Sequence, residues 1–351
     1  MILQDLIAKI GKGQKGARDL SREEAEWAMR HLLEGKASPY QVGAFLISLR
    51  VKEESPEELA AFVRVAESAL DPAFRFHDLD LSDSLDLSFY AGKRNTFHVG
   101  LASSFIQAGA GAKVILHGDP DPPARMSKSA VLSRLGWDPR LPSGDRTAFF
   151  RENGWTYFDI SQFHPVMKNF LDLRKEIGLR SVFHTVARFL NPLCASARMI
   201  GLSHPRSFEK IGDAAVRIGA KRALIFRGLE GESEAGLTGP LEAVQVDPAG
   251  FRRIRIDPAS LGLNPVSRTA TEIGDSDSEV QTLRRILDGT DQGDKRALAL
   301  WNAALGLWIG TGGNSLESSF HRAARSLESG KALQIMSLLE TSQITTGVKL
   351  R

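Results

Sequence analysis

Leu85-Asp-Leu-Ser-Phe-Tyr-Ala-Gly-Lys-Arg-Asn-Thr-Phe-His-Val-Gly-Leu-Ala-Ser-Ser-Phe-Ile-Gln-Ala-Gly-Ala-Gly-Ala-Lys-Val-Ile-Leu-His117 changes its hydrophobic period twice. Leu85–Phe89 is a short apolar run of strand length. Leu101–Ala110 follows a helical pattern, and Val114–His117 is again a short apolar run. Strand, helix and strand in this compass form one βαβ unit, whose natural product is a parallel sheet. Met199–Leu202 and Ala223–Phe226, separated by the helical pattern of Phe208–Ile218, repeat the arrangement downstream. The sequence therefore predicts an α/β domain with a mostly parallel central sheet.

Upstream the pattern is helical throughout. Ser21-Arg-Glu-Glu24, Ser38-Pro-Tyr-Gln41 and Ser55-Pro-Glu-Glu58 are three capping boxes, two with proline at the first helical position. Gly35 and Lys36 end the first of these helices. Residues 1–72 are expected to form a small helical subdomain and 73–351 the larger α/β domain, with helical residues 165–190 returning to the first. The C-terminal part reads as helix over 279–287, 296–309, 314–327 and 332–339.

The 351 residues carry a formal charge of +3, with 42% hydrophobic and 25% charged side chains, values of a folded protein with a real core. The charge is uneven: +2 over 1–50, −7 over 51–86, +11 over 87–228 and −3 over 229–351. A middle third this basic points to a polyanion partner, unless its charges scatter over separate faces. Cys194 stands alone, which excludes an internal disulfide, and reads as a small buried hydrophobe. The longest apolar run, 297–309, is too short to span a bilayer. The N-terminus has no signal-peptide pattern, so no membrane association is expected and the cytoplasm is the expected compartment.

Loops that follow parallel strands are where ligands bind in such a sheet. Ser88–Thr96 has one glycine, two aromatics and the pair Lys93-Arg94, a composition better suited to stacking on single strands than to cradling phosphate. Its alternative is a basic surface loop with Phe89 and Tyr90 in the core. His117–Lys128 is stiffened by three prolines and offers Arg125 and Lys128 to an anion. Gly228–Gly239 holds Glu230, Glu232 and Glu234, which read as a solvated acidic loop in preference to a cation site. Lys12, Lys15 and Arg18, set among glycines, suit contact with a phosphate backbone or a solubilising linker. No Walker A, GxGxxG, HExxH or GxSxG pattern occurs.

Taken in order, several segments resemble the anthranilate phosphoribosyltransferase family. They are Leu20–Ala25, Ala44–Val51, His117-Gly118 with Val131–Gly136, Arg174–Arg180, Asn191-Pro192, Leu237–Pro240 and Ser329–Leu333. The resemblance implies the fold of the class III phosphoribosyltransferases and nucleoside phosphorylases, a helical subdomain hinged to an α/β domain. It also implies a homodimer formed through the helices. His117, Arg174, Asn191 and Glu234 fall on positions of the family's substrate pocket, Arg174 on the arginine that meets the anthranilate carboxylate.

The family's Gly-Thr-Gly-Gly-Asp loop for phosphoribosyl pyrophosphate, however, is Ser88-Phe-Tyr-Ala-Gly92 here. Its Asn-Ile-Ser-Thr is His98-Val-Gly-Leu101, its Asn-Arg after His-Gly is Asp119-Pro120, and its magnesium-binding Asp-Glu is Ser233-Glu234. His184 stands in place of an asparagine. Gly11–Asp19, Gly92–Arg94, Arg180–His184 and Ser203–Pro205 resemble a side branch of the family associated with sequence-independent nucleic-acid binding. The expectation is a protein that binds single-stranded nucleic acid through Lys12, Lys15, Arg18, Tyr90, Lys93, Arg94, Arg125, Lys128 and Arg180, without catalytic residues, metal or cofactor. The alternative is an active phosphoribosyl or glycosyl transferase of altered substrate, and magnesium is expected only under it.

Overall fold

The computed structural model describes residues 1–74, 79–139, 141, 143–204, 208–267, 271–312 and 315–341. All three capping boxes form. Ser21, Ser38 and Ser55 each accept the amide of the residue three positions on, whose Glu or Gln side chain returns the bond. The helices they start, Arg22–Leu33, Pro39–Lys52 and Pro56–Ser68, bundle with Leu3–Ile10 around Leu6, Met29, Leu32, Phe45, Leu49 and Phe62.

Among the described residues seven strands form one sheet: β1 (Ser84–Phe89), β2 (Lys113–Gly118), β3 (Trp155–Asp159), β4 (Ala197–Leu202), β5 (Arg222–Arg227), β6 (Leu241–Asp247) and β7 (Gly250–Ile256). Their order is β3-β2-β1-β4-β5-β6-β7, parallel from β3 through β5 and antiparallel beyond. β3 and the β6–β7 hairpin lie outside the four apolar runs read as strands. The hairpin escaped because its second strand, Gly250-Phe-Arg-Arg-Ile-Arg-Ile256, presents charge on an edge.

Alternation along β1 sends Leu85, Leu87 and Phe89 to a face covered by the helices Val99–Gly109 and Asp294–Thr311. Ile115, Ile200, Ile225 and Val244 face the other way, into a core that runs continuously into the helical bundle. Helices Pro165–Ile177 and Val182–Phe189 belong to that second core, where Phe170 stacks on Phe183 with ring centroids 4.1 Å apart.

The sheet grows in one direction from β1 through β2 to β3, and in the other from β4 through β5. The reversal between β1 and β4 opens a crevice at their C-terminal ends, the position at which open α/β sheets take ligands. Among the described residues no helix is long and apolar enough to cross a membrane. Cys194 is exposed rather than buried, on a turn with φ of 58° that Asn191 clamps from both sides.

Candidate functional site

Four segments meet at the crevice: the loop after β1, the loop after β2, the turn after β5 and the turn that joins Pro165–Ile177 to Val182–Phe189. The first two are tied by a pair of backbone hydrogen bonds between Lys93 and Met126, both 2.8 Å. The third lies against β4 with no room to spare. A Cβ on Gly201 would sit 1.7 Å from the carbonyl oxygen of Glu232, so only glycine admits the turn there.

That turn carries Glu230, Glu232 and Glu234, and none of them behaves as a solvated acid. Glu232 Oε1 accepts the amides of Ala91 at 2.8 Å and Gly92 at 2.5 Å. Glu230 accepts the amides of Arg94, Asn95 and Thr96, each at 3.0 Å. It also accepts Arg125 Nη1 at 3.0 Å. Glu234 Oε1 accepts the Gly100 amide at 2.8 Å, and its two oxygens pair with Lys128 Nζ at 2.7 Å and Lys93 Nζ at 2.6 Å. Burial pushes the Glu234 carboxyl up, but the two ammonium groups prevail and hold it at about 2. Six main-chain amides thus converge after β1 despite the shortage of glycine, and the chain supplies their anions itself. Glu230 and Glu234 pair with Lys93, Arg125 and Lys128 while Glu232 rests on amides, so three carboxylates stand beside three cations and the cluster closes near neutrality.

This geometry corrects most of the expected stacking site. Tyr90 is 3% exposed, and its hydroxyl meets His117 Nδ1 at 2.6 Å, with His117 Nε2 turned to Asp86 Oδ1 at 3.2 Å. The ring is core and offers no platform for a base. Lys93 and Lys128 are buried against Glu234, and the Lys128 ammonium lies 3.8 Å from the centroid of the Phe89 ring. Neither reaches a phosphate. Arg94 is exposed, Arg125 and Arg180 are half-buried, and Lys12, Lys15 and Arg18 sit on the helical bundle, all three exposed. No hydrogen bond or ion pair of the described residues joins Lys12, Lys15 or Arg18 to the crevice residues.

Among the pocket positions, His117 and Glu234 are buried and Arg174 is half-buried. Asn191 is spent on its own turn, donating to Ala195 O at 3.0 Å and accepting the Ala195 amide at 2.8 Å. Ser233 Oγ lies 2.9 Å from the carbonyl oxygen of Ser88 and 2.8 Å from that of Met199, so it is a strut of the sheet. With Ser233 so engaged and both Glu234 oxygens held by lysines, the residues present do not fit a magnesium ion at this position. Among the described residues no cluster of three His, Cys, Asp or Glu side chains suits a metal ion.

A second group was not singled out whole by the sequence. Arg174, Arg180 and Arg188 approach one another around His184, and none of the three makes an ion pair among the described residues. Burial, together with Arg188, Arg174 and Arg125, lowers the Arg180 guanidinium to about 10. Burial, with Arg180, Arg188 and Arg174 beside it, holds the His184 imidazole at about 3. Arg188 carried no motif; its i, i+4 spacing from His184 on an otherwise apolar helix was the available signal.

The chain matches the glycosyl transferase family, helical bundle domain, over residues 4–69 and the glycosyl transferase family, a/b domain, over residues 92–333. An anthranilate phosphoribosyltransferase of Roseiflexus sp. (strain RS-1) is 34% identical over 97% of this chain and 98% of its own length. That of Methanocorpusculum labreanum is 31% identical over 94% and 96%. The crystal structure of the anthranilate phosphoribosyltransferase from Thermus thermophilus superposes with a TM-score of 0.84, at 25% identity, over 98% of this chain and 99% of that one. The Saccharomyces cerevisiae enzyme in complex with PRPP and Mg, at 20% identity and a TM-score of 0.81, shares the fold. By sequence over nearly its full length and by fold, this chain belongs to the glycosyl transferase family that includes the anthranilate phosphoribosyltransferases.

Proposed function

We propose that the chain binds a polyanion, single-stranded nucleic acid, on this transferase scaffold, with Arg94, Arg174 and Arg180 at the crevice and Lys12, Lys15 and Arg18 beyond it. The observation that carries the reading is the self-filled amide cradle. Glu230, Glu232 and Glu234 take the donors that would meet a diphosphate. A diphosphate placed against those carboxylates would bring like charge into a buried site without a compensating cation. The arginines around His184 make no ion pair among the described residues, Glu232 acting on Arg180 and Arg188 only from beyond ion-pair distance. Binding through phosphates falls linearly with salt on a log–log plot, with a slope of about −0.7 per contact on single strands. A titration of an unstructured oligonucleotide at several salt concentrations tests it, and affinity that ignores salt overturns it.

A second reading, an active phosphoribosyltransferase of altered substrate, is favoured by the comparisons taken alone. The curated relatives named above are such enzymes over their whole length, and Arg174 keeps the position of the family's acceptor-binding arginine. Product from phosphoribosyl pyrophosphate, magnesium and anthranilate at an ordinary enzymatic rate, roughly 1 per second or faster, would establish it.

A further inference from the structure

A cavity of about 340 Å³ lies between the helical bundle and the sheet, lined by Arg50, Arg180, His184, Arg188, Ser203 and His204 among others. Three elements build it. Arg50, near the end of the helix Pro39–Lys52, ties that helix to the opposite wall by donating from Nη1 to the Arg180 carbonyl at 2.6 Å. Arg180, His184 and Arg188 come from the turn and helix that return to the bundle. Ser203 and His204 follow β4, beside the strand-order reversal.

Arg188 is only 8% exposed, and among the described residues its side chain has neither a hydrogen-bond nor an ion-pair partner. Burying a guanidinium without an anion is costly, and proteins that keep such a group supply its counter-charge from elsewhere. Glu232 is the carboxylate that acts on it, from beyond ion-pair distance, and one Glu232 oxygen is already taken by the Ala91 and Gly92 amides. Gly231, with φ of 82°, brings the turn close against both Arg188 and Ser203. A Cβ there would sit 3.5 Å from Arg188 Nη2 and 2.5 Å from Ser203 Oγ.

The rim acids are not available to the arginines. Glu53 and Glu54 each stand 3.6 Å from Lys210 Nζ. His184 accepts the Ser181 amide through Nδ1 at 3.2 Å and is neutral at working pH, so its ring adds a polar wall and no charge.

We propose that this cavity binds a phosphate monoester dianion, clamped by Arg180 and Arg188 with the Ser203 hydroxyl as a further donor. Two forked guanidinium groups match the oxygens of such a group, and the volume admits a small organic body beyond the phosphate. The pocket stands on its own contacts and does not need the nucleic-acid reading, though a strand's terminal phosphate is one source of the same chemistry.

The test is calorimetric titration of the full chain with inorganic phosphate at fixed ionic strength, with chloride as the control ion. Saturable binding at one site per chain is expected, weakened at least tenfold in Arg188→Gln and in Arg180→Gln, the loss typical of one charge-assisted hydrogen bond. Should one variant fail to fold, the other decides. Phosphate that binds no better than chloride, or binding unchanged in both variants, overturns the proposal. Oligonucleotides with and without a 5′-phosphate separate the sources. Tighter binding of the phosphorylated strand, competed by phosphate, assigns the pocket to strand ends. Equal binding of both strands, with phosphate binding intact, assigns it to a small phosphorylated molecule. Failure of all oligonucleotides to bind would remove the polyanion reading and leave the phosphate result standing.

Discussion

Lys93 and Arg94 are adjacent in sequence and opposite in role. Lys93 is 1% exposed and paired to Glu234, whereas Arg94 is exposed and, among the described residues, engaged through its amide alone. Composition could show that this loop is basic but could not divide its two cations, because the partner of Lys93 lies 141 residues away. Replacing Lys93 by alanine leaves a buried carboxylate with one ammonium in place of two, and should cost about 3–5 kcal/mol of stability. Arg94→Ala should cost almost nothing in stability and reduce the salt slope of oligonucleotide binding by about 0.7. Denaturant midpoints and salt titrations of the two variants check the contrast. A slope change in a folded Lys93→Ala protein would put that side chain back at the surface.

The capping boxes were legible because a helix start is a local event, decided within four residues. The turn Gly228–Glu234 was not, because its chemistry is written in amides that follow another strand. Alternating glutamates between glycines look like any solvated loop until β1 is placed beside β4. The structure gives that turn the part of a bound anion, which leads to a rescue experiment. Glu232→Ala strips the buried Ala91 and Gly92 amides of their acceptor, and an unsatisfied buried donor costs about 1–3 kcal/mol. The melting temperature should fall accordingly. Pyrophosphate, which should leave the native protein unchanged, should restore part of the loss in the variant by occupying the vacated donors. A variant that melts lower and ignores pyrophosphate would show that the amides hold no anion site beneath the carboxylate.

At the scale of the molecule, the βαβ grammar and the helical N-terminus fixed the architecture. The +11 segment proved a poorer guide to the surface, because Lys93, Arg125 and Lys128 neutralise the molecule's own carboxylates. The apolar residues of the bundle divide in the same way. Leu32, Phe45 and Phe62 are buried within the protomer. Tyr40, Ile47 and Val51, with Ala44, instead form one exposed stripe on the helix Pro39–Lys52.

Three buried histidines, His98, His164 and His184, are each held below the ordinary imidazole value by burial and shape the molecule's response to acid. Burial holds His164 at about 4, and burial with three arginines holds His184 at about 3, against an ordinary value of 6.5. Both are neutral in the folded chain and take up protons on unfolding below about pH 6.5, so the unfolded state binds more protons there and stability falls as pH falls. Each contributes about 1.4 kcal/mol per pH unit until its folded value is reached. Glu234 adds to the loss only further down, between its unfolded value near 4.5 and about 2. The denaturant midpoint should therefore drop from about pH 6.5 to about pH 4, and His184→Asn, which removes one of these protons, should reduce the accompanying loss of stability by about 1.4 kcal/mol per pH unit. A midpoint that is flat over this interval would mean that neither imidazole is held neutral by the fold. Because His184 lines the phosphate cavity, its protonation would add a third cation beside Arg180 and Arg188. Saturating phosphate, whose own protonation affects both proteins alike, should accordingly flatten the acid slope of the native chain relative to that of His184→Asn, so that one set of unfolding curves reads both the burial of the ring and the occupancy of the pocket it faces.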